Sequence, residues 1–294
     1  MLARAGFPVT LIGRAAHVEA IQRDGLLIDG LHLRERIAVR ASTELTAARD
    51  AHLVLFCVKT TDTETTARAL AQHLGAASVV VSMQNGVDNA ERIRAASDIH
   101  AVAAVVYVAA AMIAPGEVKH SGRGDLILGR TPSSPAEVDL DALAGLFERA
   151  GVPCRVSPEI RVELWKKMLM NCAYNAISAL ARERYGRIAG HSGARELMCR
   201  AIQEAVAVAR AEGVMLDAAA MTAAAYGLGE AMTGALSSTA QDIERGKLTE
   251  IDSLNGYVVR HGAQCGVPVP VNETLYTLVK LLEDSRRNCI RMDG

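Results

Sequence analysis

Net charge is the first thing this 294-residue chain lacks: 32 Lys and Arg stand against 33 Asp and Glu. With both signs interspersed, it carries no electrostatic footprint for nucleic acid or an anionic membrane. The one local basic cluster, Arg286, Arg287 and Arg291, falls at the chain end, where solvation is its ordinary use. No Cys-x-x-Cys pair occurs. The six cysteines (Cys57, Cys154, Cys172, Cys199, Cys265, Cys289) are scattered, several within apolar runs, and read as reduced, buried thiols of a cytoplasmic protein rather than a disulfide framework. The histidines form no His-x-x-x-His or Cys/His grouping, so no metal is expected. No apolar run reaches the roughly 20 residues of a membrane span. The longest uncharged stretch, residues 101–116, is Val-rich and broken by Pro115, which suits a buried strand and a turn. Met1 is followed by LARAGF, without the basic start and apolar core of a signal peptide. Also missing is any G-x-G-x-x-G turn, whose amides would receive a dinucleotide pyrophosphate.

Half of the residues are apolar, enough to bury the cores of about two domains. The first half alternates strand and helix signals. LARAGFPVTLIGR reads as a helix end, a stop at Gly6 and a strand Val9 to Ile12 running into Gly13-Arg14, half of a βαβ unit without its beginning. His17 to Arg23 is helical in pattern, and LLIDGLHLRERIAV reads as a hairpin turning at Asp29-Gly30. AHLVLFCV (51–58) and ASVVVSM (77–83) have the continuous apolar character of buried parallel strands, with helix-patterned residues 61–74 between them. Open α/β sheets bind ligands beyond the carboxyl ends of their strands, which makes Lys59 and Asn85 site candidates. Each also has a plain reading, a surface lysine opening a helix and an Asn-Gly turn. Val102 to Ala109 reads as a further strand, and residues 116–128 as a hairpin around Gly122 and Gly124.

From Glu159 onward the pattern is helical: about 159–182, 192–212, 218–232, 240–265 and 272–284, with Asn272 as the N-cap of the last. Helix 218–232, rich in Ala and Met, suits a core, and a homodimer contact is the alternative. The expected division is an α/β domain at 1–158 and a helical domain at 159–294. Within the first of these helices, ELWKKMLMNCAYNAISAL (163–180), Lys167, Asn171 and Asn175 recur every four residues and share one face. With Glu163, Ser178 and Arg182 they could form the wet side of an amphipathic helix. Asn, however, is a poor mid-helix residue that competes for backbone hydrogen bonds, so two in register with a Lys point to polar partners in a site. A buried Lys can carry a proton, because burial and neighbours shift its pKa readily. Ser238 alone reads as an N-cap and Glu250 as a solvated carboxylate.

Read in order, AGFPVTLIGR, LFCVK, QNG, GEVKHSG, LWKKMLMNCAYN, SSTAQDIERGKLTEID and NGYVVRHG resemble the ketopantoate reductase (2-dehydropantoate 2-reductase) family over residues 1 to about 285. The resemblance implies a Rossmann-like α/β domain followed by an all-helical domain of the 6-phosphogluconate-dehydrogenase type. It implies NADPH-dependent reduction of ketopantoate to pantoate, on the way to pantothenate and coenzyme A, with NADP(H) as cofactor and a small 2-keto acid as the other partner. Carried over by position, Lys167 would be the general acid and Glu250 would contact it and the substrate. Asn171, Asn175 and Ser238 would bind substrate oxygens. Asn85 and Lys59 would lie near the nicotinamide end of the cofactor, and Arg14 would meet the adenosine 2′-phosphate. In this family the chemistry would occur where the two domains meet.

Two departures stand out. Relative to the family pattern about 17 residues are missing at the start, covering the first strand and the glycine loop. A misassigned start codon or a truncated chain is the expectation. Near Tyr185 some members carry a further substrate-contacting asparagine, which leaves a related 2-keto acid open as substrate. A non-catalytic remnant, or a related oxidoreductase acting on a hydroxy acid or an imine, are the competing readings.

Overall fold

The computed structural model describes residues 1–31 and 33–292, with side chains to residue 285. The side chains of Arg286, Arg287, Cys289 and Arg291 therefore lie outside the described residues. Two compact units emerge: residues 1–84 with 88–160, and residues 85–87 with 161–294. The first is α/β and the second helical.

The α/β unit is built on a mixed sheet. Its strands are β1 (Thr10–Ile12), β2 (Leu26–Gly30), β3 (Arg34–Ile37), β4 (Arg40–Ser42), β5 (Leu53–Phe56), β6 (Val79–Ser82), β7 (Ala101–Ala114), β8 (Glu117–Gly129) and β9 (Cys154–Val156). The main sheet runs β3-β2-β8-β7-β6-β5, with β9 paired to β8. Strands β5, β6 and β7 are parallel to one another, and β7–β8 and β2–β3 are antiparallel. Strand β1 pairs in parallel with β4 in a separate two-stranded sheet.

Helices α1 (Ala15–Asp24), α2 (Thr63–Ala71), α3 (Asn89–Ser97) and α4 (Leu140–Arg149) complete the unit. Because strand side chains alternate between faces, neighbouring residues of β6 and β7 feed two cores. Val81, Val102 and Leu128 pack with Leu140, Leu143 and Phe147 of α4. Val80, Ala101 and Phe56 pack with Ala67 and Leu70 of α2 and Ile93 of α3.

Three expectations are corrected here. The run at 51–58 shortens to β5, whose Leu53, Val54 and Leu55 are half-buried, because the strand has a main-sheet neighbour on one side only. Residues 116–128 form no hairpin of their own. They are one long strand, β8, folded back on β7 at Pro115-Gly116, and Gly122 and Gly124 fall among its register shifts. The bulge is fixed by Arg123, in left-handed conformation (φ 53°), which pairs with Asp125 and lies over the Tyr107 ring. Helices α3 and α4 were not expected.

The helical unit contains α5 (Ile160–Ala181), α6 (Tyr185–Ala189), α7 (Ser192–Ala211), α8 (Ala218–Ala231), α9 (Ser238–Glu244), α10 (Asn255–Cys265) and α11 (Pro270–Met292). The expected helix 240–265 is two helices, with residues 245–254 between them. Gly246, at φ +63°, ends α9 in left-handed conformation, and the Lys247 amide closes back on the Asp242 carbonyl. Asn272 is not an N-cap. The last helix starts at Pro270, whose missing N–H costs nothing in a first turn, so Asn272 sits inside that turn and is fully buried.

Helix α5 is the centre of this unit: Trp165, Met168, Leu169, Cys172, Ala173, Tyr174, Ala176 and Ile177 all belong to one core with α7, α8, α10 and α11. Helix α8 buries Thr222, Ala225 and Gly229. A Cβ on Gly229 would overlap the Tyr174 hydroxyl and the Ala189 methyl, and that hydroxyl donates to the Ala225 carbonyl at 2.7 Å. Gly229→Ala is expected to cost about 3 kcal/mol through overpacking and the strained hydrogen bond, read as a lower denaturation midpoint. A parent-like midpoint would show that α8 can slide on α5.

Two of the free cysteines, Cys57 and Cys265, are exposed, which corrects the expectation of buried thiols. Cys57 sits just past the half-covered edge strand β5, and Cys265 at the exposed end of α10. Among the described residues no helix is long and apolar enough to cross a membrane.

Candidate active site

The four-residue spacing of Lys167, Asn171 and Asn175 falls on α5 as expected, a stripe about 12 Å long at 1.5 Å per residue. It is not a wet face. Asn175 is 2% exposed and Ser178 is wholly buried, while Lys167 and Asn171 are half-buried. Arg182 lies past the helix end in left-handed conformation (φ 54°) and exposed, so it leaves the stripe. Burial lowers the Lys167 ammonium from its ordinary value to about 8, with the Glu250 carboxylate pulling the other way. A lysine poised there exchanges its proton near neutral pH, and its partial exposure leaves a route for solvent to restore it.

Glu250 reaches this stripe because the chain between α9 and α10 is not α-helical: it turns at Gly246 and makes only a short 3-10 turn, Ile251–Ser253, just after Glu250. It is half-buried, and its Oε2 accepts a hydrogen bond from Asn85 Nδ2 at 3.1 Å. Residues 85–87 group with the helical unit, and Val87 packs on its core. The structure thus gathers Asn85, Glu250 and Lys167, residues far apart in sequence, within one unit.

At the other end of the stripe, Asn175 Nδ2 lies 3.5 Å from Ser238 Oγ. Ser238 is not the N-cap. That task belongs to Ser237, whose Oγ accepts the Ala240 amide at 3.0 Å. One residue further on, Ser238 is exposed with its hydroxyl beside Asn175. The Asn171 amide makes no hydrogen bond to the described residues, so its donors and acceptor are unspent. Together these groups offer a row of neutral donors and acceptors ending at an ammonium and a carboxylate, a set suited to a small polar acid with an adjacent carbonyl.

Several supporting roles escaped the sequence reading. Asn255 Nδ2 bonds the Cys172 carbonyl of α5 (3.4 Å) and Asn272 Oδ1 (2.9 Å), while Asn272 Nδ2 bonds Glu204 of α7 (2.7 Å). Asn255 opens the NGYVVRHG segment, but nothing in its spacing showed that it reaches α5. Tyr185 stacks on Tyr174 with ring centroids 4.1 Å apart, and burial raises its hydroxyl pKa. It is a packing residue.

In the α/β unit, Arg14 follows β1 and opens α1. Its guanidinium is exposed and makes no hydrogen bond or ion pair with the described residues. Lys59 follows β5, half-buried, at the start of a short 3-10 turn. The turn is pinned by Gln84, which the sequence reading passed over: its Nε2 bonds the Val58 carbonyl (3.0 Å) and Thr63 Oγ1 (2.8 Å). Arg92 of α3 adds a bond to the Thr60 carbonyl at 2.7 Å.

The family model described as ketopantoate reductase PanE/ApbA matches residues 1–133, and that of the ketopantoate reductase PanE/ApbA C terminal matches residues 159–283. A 2-dehydropantoate 2-reductase of Pyrococcus horikoshii is 31% identical over 283 residues, covering 96% of this chain and 92% of the relative. One from Halobacterium salinarum is 32% identical over 292 residues, covering 96% and 93%. Among solved structures, a PanE/ApbA family ketopantoate reductase from Ralstonia eutropha JMP134 aligns with a TM-score of 0.90 at 44% identity, covering 97% of this chain and 94% of the other. A D-mandelate dehydrogenase solved with NADH and anilino(oxo)acetate also reaches 0.90, covering 97% and 94%. At 23% identity, that likeness speaks for the fold alone.

Proposed function

The chain belongs to the ketopantoate reductase family, and from that premise we propose that it reduces 2-dehydropantoate to (R)-pantoate with NADPH, a step toward pantothenate and coenzyme A. The observation that carries the reading is the α5 stripe, with a lysine of pKa about 8 facing a carboxylate that Asn85 holds at 3.1 Å. Asn171, Asn175 and Ser238 bind the substrate's hydroxyl and carboxylate oxygens, which places its C2 ketone at Lys167. The nicotinamide, when bound, supplies hydride to the ketone carbon. Lys167 gives its Nζ proton to the ketone oxygen as that oxygen gains charge, so that ketone, hydride and proton together make the alcohol. Glu250 keeps the ammonium charged and aimed, and water then returns a proton to Lys167.

The cofactor fits part of what is present. Arg14 is an exposed, unspent guanidinium at the end of β1, suited to a phosphate dianion. Lys59 and Asn85 are assigned to the nicotinamide end. No G-x-G-x-x-G motif occurs in the sequence, and no pyrophosphate contact is assigned. The exposed free thiols Cys57 and Cys265 suit a reducing, cytoplasmic setting.

NADPH oxidation with 2-dehydropantoate tests the reading directly. Turnover supports it, and no turnover with this or any related 2-keto acid overturns it. A panel of 2-keto acids is included because Tyr185 is spent in packing against Tyr174 where some family members offer an asparagine. A higher kcat/KM for another acid would keep the reaction and change the substrate.

The sign of the pH dependence follows from Lys167. Reduction needs the protonated amine, so kcat/KM is expected to hold below pH about 8 and to fall tenfold per unit above it. Oxidation of pantoate needs the neutral amine and is expected to rise through the same pH. A flat reduction profile through this range would mean that another group supplies the proton.

A further inference from the structure

Glu250 stands in a turn that three side chains of α11 grip from its two sides. Before it, Glu283 Oε1 accepts the Thr249 amide at 2.8 Å. After it, Lys280 Nζ reaches Asp252 Oδ2 at 3.0 Å and the Tyr276 hydroxyl donates to Asp252 Oδ1 at 2.7 Å. Lys280 also pairs with Glu283 Oε2 at 3.0 Å, which ties the two anchors together. Burial pushes the Asp252 carboxyl up, but its bonds to Tyr276 and Lys280 outweigh that and hold it below the usual carboxylate range.

The position of Glu283 is telling. It is 4% exposed, and a carboxylate withdrawn this far from water is unfavourable unless its oxygens are satisfied. Both are, one by the backbone amide next to Glu250 and one by the Lys280 ammonium. Helix α11 is itself registered on the catalytic helix. Glu204 accepts the Val271 and Asn272 amides, Asn272 accepts from Asn255, and Asn255 donates to the Cys172 carbonyl of α5. Glu250 and Lys167 are thus referred to one frame.

We propose that Glu283, acting with Lys280 and Asp252, is a positioning residue that fixes the Glu250 turn and so keeps the Glu250 carboxylate within electrostatic reach of Lys167. The inference rests on the Lys167–Glu250 reading above. Glu283 touches neither substrate nor cofactor in this scheme. Its effect passes through one backbone amide.

The test reads Lys167 directly, without turnover. Protein labelled with ¹³C at the lysine side chains is titrated by NMR. The chain has six lysines, and the Lys167 signal is identified by its loss in Lys167→Arg. Glu250→Gln sets the scale, and its Lys167 should titrate lower than the parent's because the raising charge is gone. Glu283→Ala is expected to move Lys167 down by about half a pH unit or more, while Glu283→Gln, which keeps an oxygen for the Thr249 amide, should recover most of the parent value. A parent-like titration in Glu283→Ala, with Glu250→Gln shifted, overturns the positioning role alone. No shift in Glu250→Gln overturns the underlying pair. If Glu283→Ala fails to fold by circular dichroism, Lys280→Met breaks the same clamp at its half-buried cation. A downward shift there supports the proposal, and a parent-like value overturns it.

Discussion

Replacing Lys167 by alanine is expected to lower kcat for ketone reduction by about a thousandfold, within the range for loss of a positioned general acid, while the Kd for NADPH stays within about twofold of the parent's. The asymmetry follows from where the charge develops. The ammonium interacts weakly with a neutral ketone, and strongly with the oxygen once hydride has reached the carbon, so its contribution falls in the transition state. Lys167→Arg should rescue little, because a guanidinium holds its proton too tightly to transfer it at neutral pH. Stability separates this from a structural defect. Burial holds the Lys167 pKa well below its ordinary value, which means that below pH about 8 the fold carries the charged lysine at a cost in stability. Lys167→Met should therefore be at least as stable as the parent at pH 7 and equally inactive. Near-parent turnover in Lys167→Ala would remove the residue from the mechanism.

What the sequence revealed of this site depended on the range over which each residue acts. The α5 stripe was legible because helical periodicity is local, and Asn at a four-residue interval is an anomaly visible without coordinates. Glu250 was not. Residues 240–265 keep an apolar spacing compatible with one helix, and an isolated Gly246 inside such a pattern is ordinarily tolerated. What breaks the helix is the left-handed Gly246 and the clamp from α11, in which the Glu283–Thr249 bond spans 34 residues. The Asn85–Glu250 bond spans 165, and although the family resemblance assigned both residues to the site, it did not pair them.

One-residue errors had larger chemical consequences than missed helices. Ser237 and Ser238 are indistinguishable as caps in sequence, and only the geometry of α9 spends Ser237 on the Ala240 amide. Asn272 looked like a cap because Asn favours that place, but Pro270 had already opened the helix and Glu204 claimed the Asn272 amides. Helix α3 was missed because it buries only Asn89, Ala90 and Ile93, too few apolar positions to show a period. Gly122 and Gly124 were read as a turn, whereas a long antiparallel ribbon used them in its bulged stretch.

Arg14→Ala carries the other large expected effect: NADPH should bind about thirtyfold more weakly, the loss of a charge-assisted bond of about 2 kcal/mol, while the Kd for NADH changes by less than about twofold. The local structure supports so selective a loss. Arg14 is the residue between Gly13 and the first turn of α1, its carbonyl accepts the His17 and Val18 amides, and its side chain is left exposed. That first turn holds no acidic residue to neutralise the guanidinium or to bond a free 2′-hydroxyl instead. The backbone role survives the substitution, so α1 should form as before and the change should register as lost charge. Because the guanidinium is solvated, its effect is screened. The parent's preference for NADPH should shrink as salt is raised, and the variant's weaker preference should respond less. Arg14→Glu extends the series: like charges then oppose at the 2′-phosphate, and preference should turn toward NADH. Equal losses for both nucleotides in Arg14→Ala would mean that this arginine does not read the phosphate and that the discrimination lies elsewhere in the chain.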